Sequence, residues 1–389
     1  MSERRHPMGL SDEHIAIREV VRDFVDSRVI PTASEREAKG EYPADLIPKL
    51  AELGVMGMTV PEEYGGSEVD YISYGLILEE LARGWMGLAS VVGSSAAGGF
   101  LISKYGTKEQ KDMYLPRLGA GTRVSGMALT EPGVGSDLKN AVVTAKKVDG
   151  KYIVNGTKTM ITHARRADPL LVLVRTDTTV DPAHRGMSLL LVEQGTPGYT
   201  IGRDMEKLGQ KGVDLCELVF ENAEIPAENL LGGEEGQGFY QIMSALDRGR
   251  IYIAAASVGI AQASLEAAAK YAQERQAFGQ NLAEFQAVQL RVAEMGTKIE
   301  AARLLYINAA TSTEKFGRAT AESSMAKIFA SEIGLEAAYD AMRIHGGYGY
   351  TKEFPIERYL RDVALNPIGE GSNDVLRLGV AKELFNQYK

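Results

Sequence analysis

The chain has 389 residues, 44% of them hydrophobic, a single cysteine and a formal net charge of −9. That length suggests two or three domains with a sizeable core. The acidic balance, with a pI near 5.3, argues against nucleic acid as a partner, because that requires a basic footprint. An anionic cofactor stays open, since a few local Arg or Lys residues suffice for it. Cys216 alone cannot form an internal disulfide, and it fits a reducing compartment. His6, His14, His163, His184 and His345 include no pair at ligand spacing, so no metal is expected. The N-terminal "MSERRHPMGLSDEHIAIREVV" has no signal-peptide core, and no apolar run is read as reaching the roughly 20 residues of a membrane span. The expectation is a soluble cytoplasmic protein without a membrane partner; a mature mitochondrial matrix form stays open.

Residues 1–120 read as a helical domain. In "SDEHIAIREVVRDFVDSRVIP", Ile17, Val20, Val21, Phe24 and Val25 recur at helical spacing, with Ser11 as N-cap and Pro31 after the end. "PADLIPKLAELGV", "ISYGLILEELARG" and "TKEQKDMYLPRLGAG" repeat the pattern. From 121 to 235 the period becomes two: "RVSGMALT", "AVVTAKKVDGKYIVNG", "PLLVLVRT", "GMSLLLVEQ" and "CELVFENAEIP" are short strands. Asp149-Gly150 marks a hairpin. This segment reads as an antiparallel barrel or sandwich, with Cys216 as a small buried strand residue. From 236 to 389, helical patterns over 239–273, 282–315, 319–343 and 371–387 predict a four-helix bundle. Phe285, Val288, Val292, Met295 and Ile299 form one apolar stripe there.

The whole is an α+β chain without the strand–helix alternation of a dinucleotide fold. In "EPGVGSDL", Leu138 stands where a G-x-G-x-x-G motif needs its third glycine, and no phosphate-binding P-loop occurs. One turn is unusual: in "NPIGEGSND", Glu370 sits between Gly369 and Gly371 just before a helix. Either it is a solvated loop, or the glycines let the backbone pass close to something bulky.

"MALTEPGVGSDL" at 127–138, "KTMITHA" at 158–164, "ERQAFGQNLAEFQAVQ" at 274–289, "RIHGGYGYTKEFPIERYLRD" at 343–362 and "EGSNDVLR" at 370–377 together resemble the acyl-CoA dehydrogenases. The resemblance covers the whole chain. It implies FAD between the β domain and the C-terminal bundle, with Met127, Leu129, Thr130, Ser136, Met160, Thr162, Ser372 and Asp374 beside it. Arg275, Phe278 and Gln286 would reach the FAD of a neighbouring subunit in a homotetramer, a dimer of dimers, and Arg343, Gly346 and Gly347 would also contact the cofactor. Ser136, Asp247, Arg250 and Gly371 would line the acyl-CoA site, although Asp247 and Arg250 also suit an intrahelical ion pair. Met160 replaces a more usual aromatic residue, Arg343 a glutamine, and His163 a small polar residue whose plain reading is a bond to local backbone.

The reaction implied is α,β-dehydrogenation of an acyl-CoA, with Glu370 taking the Cα proton and flavin N5 the Cβ hydride. By the same resemblance, the Glu370 N–H and a flavin ribityl hydroxyl hold the thioester oxygen. A minority of the family carries its base where this chain has Gly249, which cannot be one. Electron-transferring flavoprotein is the implied acceptor. An oxidase, a biosynthetic desaturase and a non-catalytic binding subunit are the alternatives. Gly369 stands where a bulky residue often precedes the base, so a wider pocket for a short, branched or cyclic acyl group is expected.

Overall fold

A computed structural model describes residues 9–389; His6 and the first eight residues of the N-terminal stretch lie outside them. The helices α1 (Asp12–Phe24), α2 (Ile30–Lys39), α3 (Ile47–Glu52), α4 (Tyr71–Gly84), α5 (Met86–Tyr105) and α6 (Lys108–Gly119) come first. Ser11 caps α1 as expected, its hydroxyl accepting from the His14 N–H at 3.2 Å. Pro31 does not end this run. A π-helical turn over Val25–Val29 leads straight into α2, and Pro31 sits in the first turn, where a missing N–H breaks no helical bond.

Helix α5 has no counterpart among the predicted elements. It is buried along most of its length, so it shows little amphipathic period. Its glycines also lower its helix propensity. They serve close approach instead. A Cβ on Gly93 would lie 2.8 Å from the Tyr252 ring, and one on Gly98 would lie 2.1 Å from Ser125 Oγ.

The strands β1 (Val124–Ala128), β2 (Thr144–Val148), β3 (Lys151–Thr162), β4 (Ala167–Arg175), β5 (Met187–Val192), β6 (Tyr199–Asp204) and β7 (Leu215–Pro226) form one seven-stranded sheet. Its order is β1-β4-β2-β3-β7-β6, with β5 also on β4. The sheet is mixed rather than purely antiparallel, because β1 and β2 each run parallel to β4. Only strands joined by a tight turn are bound to be antiparallel, and a long excursion separates β1 from β2. The predicted β2–β3 hairpin is present, with Asp149 and Gly150 at φ 47° and 76°. Cys216 is fully buried, and burial with its Asp204 contact pushes the thiol's pKa up, as suits a core residue rather than a nucleophile.

Then follow α7 (Gly238–Glu274), the hairpin β8 (Gln276–Ala277) and β9 (Gln280–Asn281), α8 (Gln286–Phe316), α9 (Thr320–His345), α10 (Ile356–Val363) and α11 (Asn373–Gln387). In the predicted α8 stripe, Met295 and Ile299 are buried while Val288 and Val292 pack against the core's edge. One apolar core joins α1, α4 and α5 to α7, α8 and α9. By length and mean hydropathy (1.4 and 1.3), α5 and α7 are each apolar enough to cross a membrane, which corrects the sequence reading; 78% of each apolar window is buried inside the fold, as in a core helix. Buried carboxylates join the parts. Glu37 accepts the Lys211 N–H at 2.7 Å, and Asp362 accepts that of Gln210 at 2.7 Å.

Candidate active site

Helices α4, α5 and α7, strands β1 and β3, and the turn before α11 surround a cleft with ≈ 1040 Å³ of empty space, counted to its open mouth. Glu370 and Gly371 form part of its wall. Glu370 adopts φ 53°, a left-handed conformation unusual for a residue with a Cβ. Its Oε2 is buried without a hydrogen-bond partner. Among the described residues, its backbone N–H also finds no acceptor. Burial raises the carboxyl's pKa above the ordinary 4.5, and the charges of Arg250 and Lys327 pull the other way. The turn is therefore a built feature that aims an unpaired carboxylate into a cleft.

Its supports come from three directions. Gly249 on α7 faces it so closely that a Cβ there would lie 2.6 Å from Glu370 Oε2. The fully buried Lys327 of α9 donates to the Gly371 carbonyl at 2.8 Å and to Asn373 Oδ1 at 2.9 Å, clamping the turn where it enters α11. Burial lowers the Lys327 pKa to about 8, against the attraction of Glu370. Asn373 in turn donates to Ser331 Oγ at 3.1 Å. The predicted Asp247–Arg250 pair forms at 2.7 Å, and Asp247 also accepts from Arg318 at 3.0 Å and Thr320 at 2.8 Å.

On the sheet side, Met127, Leu129 and Thr130 line the cleft, whereas Ser136 lies exposed on the loop that follows. A buried ion pair holds this loop. Lys158 Nζ sits 2.8 Å from Glu131 Oε1 and donates to the Leu129 carbonyl at 2.9 Å, and Glu131 accepts the Val142 and Val143 N–H groups. The β3–β7 register shifts between Lys158 and Ile161, and Met160 takes φ 56° at this irregularity. Met160 stays 56% exposed at the cleft wall, beside Thr162. His163, at φ 67°, is fully buried and bonds through Nε2 to the Tyr42 hydroxyl at 3.0 Å, not to the local backbone as expected. Burial lowers its pKa to about 4, so the ring is neutral at pH 7.

The remaining sequence-predicted residues gather elsewhere. Arg275, Gly346 and Gly347 line a second, shallower hollow with ≈ 880 Å³ of empty space, together with His345 and Tyr348. Phe278 stands at the tip of the β8–β9 hairpin, 97% exposed and at φ 51°. Gln286 opens α8 nearby in sequence, and Arg343 is turned to Asp340 at 3.6 Å. Ser372 occupies the N-cap of α11 without a capping bond, and Asp374 is exposed in the helix's first turn. Gly369 does not line the cleft. A Cβ on it would meet only Leu365, at 3.8 Å, so the expected widening of the acyl pocket at this position has no geometric basis.

Sequence reasoning missed Tyr74, Tyr252 and Arg248 in the cleft wall, and Lys327 behind the turn. Of these only Tyr74, a polar residue within the apolar run "ISYGLIL", carried a local signal that could have singled it out.

The chain matches the N-terminal, middle and C-terminal domain models of acyl-CoA dehydrogenase over residues 11–122, 126–223 and 236–385. It is 41% identical to an acyl-CoA dehydrogenase of Bacillus subtilis, over 97% of this chain and 99% of that one. It is 39% identical to the mitochondrial short-chain specific acyl-CoA dehydrogenase of Bos taurus, over 98% and 92%. Butyryl-CoA dehydrogenase from Megasphaera elsdenii superposes with a TM-score of 0.92 at 37% identity, covering 97% of this chain and 99% of that structure. With all three domains matched along its length around a cleft of this build, the chain belongs to the acyl-CoA dehydrogenases, flavin-dependent oxidoreductases.

Proposed function

We propose that this enzyme converts an acyl-CoA thioester to its trans-2-enoyl-CoA, with Glu370 as the base that removes the Cα proton. The observation that carries the reading is the buried, unpartnered Glu370 Oε2 in the cleft wall. A carboxylate kept from water and from hydrogen bonds is a stronger base than a solvated one. The free Glu370 N–H supports the same role, because it can donate to the thioester oxygen as charge builds there in the transition state. Lys327 and Gly249 position the base: one clamps the turn, and the other leaves room for the carboxylate.

The cofactor is FAD, which when bound accepts the Cβ hydride. Met127, Leu129, Thr130, Met160 and Thr162 offer it an apolar wall with two hydroxyls, and the exposed Met160 thioether excludes water over it. Ser372, Asp374 and Ser136 flank this region. Arg275, Phe278, Gln286, Arg343, Gly346 and Gly347 serve the FAD of a neighbouring chain in a homotetramer. The outward hollow and the bare Phe278 ring support this, since a lone chain gains nothing from either. Asp247 holds Arg250 at the substrate side, and Gly371 lets the thioester approach. Electron-transferring flavoprotein takes up the electrons.

Glu370→Gln tests the reading. It should retain FAD and acyl-CoA binding while anaerobic flavin reduction slows by about 10²–10⁴-fold. Reduction within about threefold of the parent would show that Glu370 is not the base.

A further inference from the structure

Next to Gly249, α7 carries an arginine whose surroundings are unlike those of Arg250. Arg248 lines the cleft and is only 7% exposed. Its guanidinium carbon lies 4.4 Å from the ring centres of Tyr71 and Tyr74 and 5.2 Å from that of Phe100. Arg250 is neutralised by Asp247 at 2.7 Å, but among the described residues Arg248 forms no ion pair; the Nε atoms of both are buried without a hydrogen-bond partner. Glu370 does not fill that role: the positive charges acting on it are those of Arg250 and Lys327.

Burying an unpaired guanidinium is costly, and contact with aromatic faces offsets only part of that cost. The aromatic rings hold the planar fork, and Arg248 borders the space that an acyl group would fill. A planar anion with two oxygens matches such a fork.

We propose that Arg248 recognises a second carboxylate on the acyl group, so that the substrate is the CoA thioester of a short dicarboxylic acid. This rests on the dehydrogenase reading above and names the substrate class of that same cleft. The carboxylate enters from water already ionised and meets a cation held ready for it. The acyl carbons between this carboxylate and Cα then lie against Tyr74 and Tyr252, within reach of Glu370.

The test uses the FAD-loaded enzyme and chain-matched pairs: butyryl-CoA with succinyl-CoA, pentanoyl-CoA with glutaryl-CoA, hexanoyl-CoA with adipoyl-CoA. In at least one pair the dicarboxylic member should reduce the flavin with a higher kcat/KM. Arg248→Met should remove that preference by roughly 30- to 3000-fold, the usual loss when one partner of a buried charge pair is taken away. Arg248→Lys should restore part of it. Calorimetric binding of the same thioesters to the Glu370→Gln protein, with and without Arg248→Met, reads recognition without turnover and should show the same loss of preference. Equal or better use of the uncharged member in every pair overturns the proposal, as does an unchanged preference after Arg248→Met. If no thioester reduces the flavin, the dehydrogenase reading fails instead, and the binding comparison still decides the role of Arg248.

Discussion

Gly249→Ala is the most economical challenge to the site, because it adds one carbon and no new chemistry. A Cβ at this position would lie 2.6 Å from Glu370 Oε2 and 3.1 Å from its Cδ. Favourable contact between non-bonded heavy atoms lies near 3.5 Å, so the carboxylate has to retreat by about 1 Å. The far end of a glutamate side chain can do this cheaply. Gly249 also lies inside α7, where exchange of glycine for alanine stabilises a helix by roughly 0.5–1 kcal/mol. The fold should therefore keep its melting temperature or gain slightly. Chemistry should not follow, since a base displaced by about 1 Å loses on the order of 10²-fold. Stopped-flow anaerobic flavin reduction and thermal unfolding, run on the same preparation, separate the two effects. Reduction within about threefold of the parent would refute the reasoning, and so would a slow variant that has also lost its fold.

Three further outcomes are expected. Flavin reduction should rise with pH along a limb lying above the ordinary carboxylate value of 4.5, because burial raises the Glu370 pKa and only its anion is a base; a limb at or below 4.5 would show that the cleft does not shield it. Lys327→Met should slow reduction about tenfold or more with little change in KM, since it frees the turn and leaves the Gly371 carbonyl unsatisfied. In the parent, Lys327 is neutral when folded and protonated when unfolded between about pH 8 and 10.5, so stability rises with pH there by this group's share, and the variant should lack that rise in denaturant titrations. Asp362, with burial lifting its pKa from 3.8 to about 7, costs stability as pH climbs across that window; Asp362→Asn should make the protein more stable at pH 8, by up to about 4 kcal/mol, and no more stable at pH 3. A variant no more stable than the parent at pH 8 would sink that last claim.

The amphipathic helices and the β2–β3 hairpin were legible because their signals are local: a period, a cap, a turn dipeptide. Glu370 was legible for a similar reason, since a carboxylate between two glycines breaks the pattern around it. What escaped depends on partners far along the chain. Lys327 reads as an ordinary helix residue until α9 is laid against a turn 44 residues later. Glu131 and Lys158 lie in two of the quoted motifs, yet nothing local says that they meet. The parallel pairing of β1 with β4 is a choice of topology that alternation alone cannot make. Gly369 was misjudged because a missing side chain says nothing about the direction in which it would have pointed. Helix α5 escaped because a helix covered on nearly every side has no polar face to betray its period.

Those glycines of α5 also bear on how such a cleft can change over evolutionary time. At Gly93 and Gly98 the backbone is pressed against Tyr252 and Ser125, leaving no volume for even a methyl group. At those two positions any larger side chain meets a steric veto, whichever substrate is under selection. Variation has to arrive elsewhere on the wall, at side chains such as Ser94, Met160 and Arg248 that line the cavity. A lineage diversifying its substrates should accordingly drift at those three sites while the α5 glycines stand still.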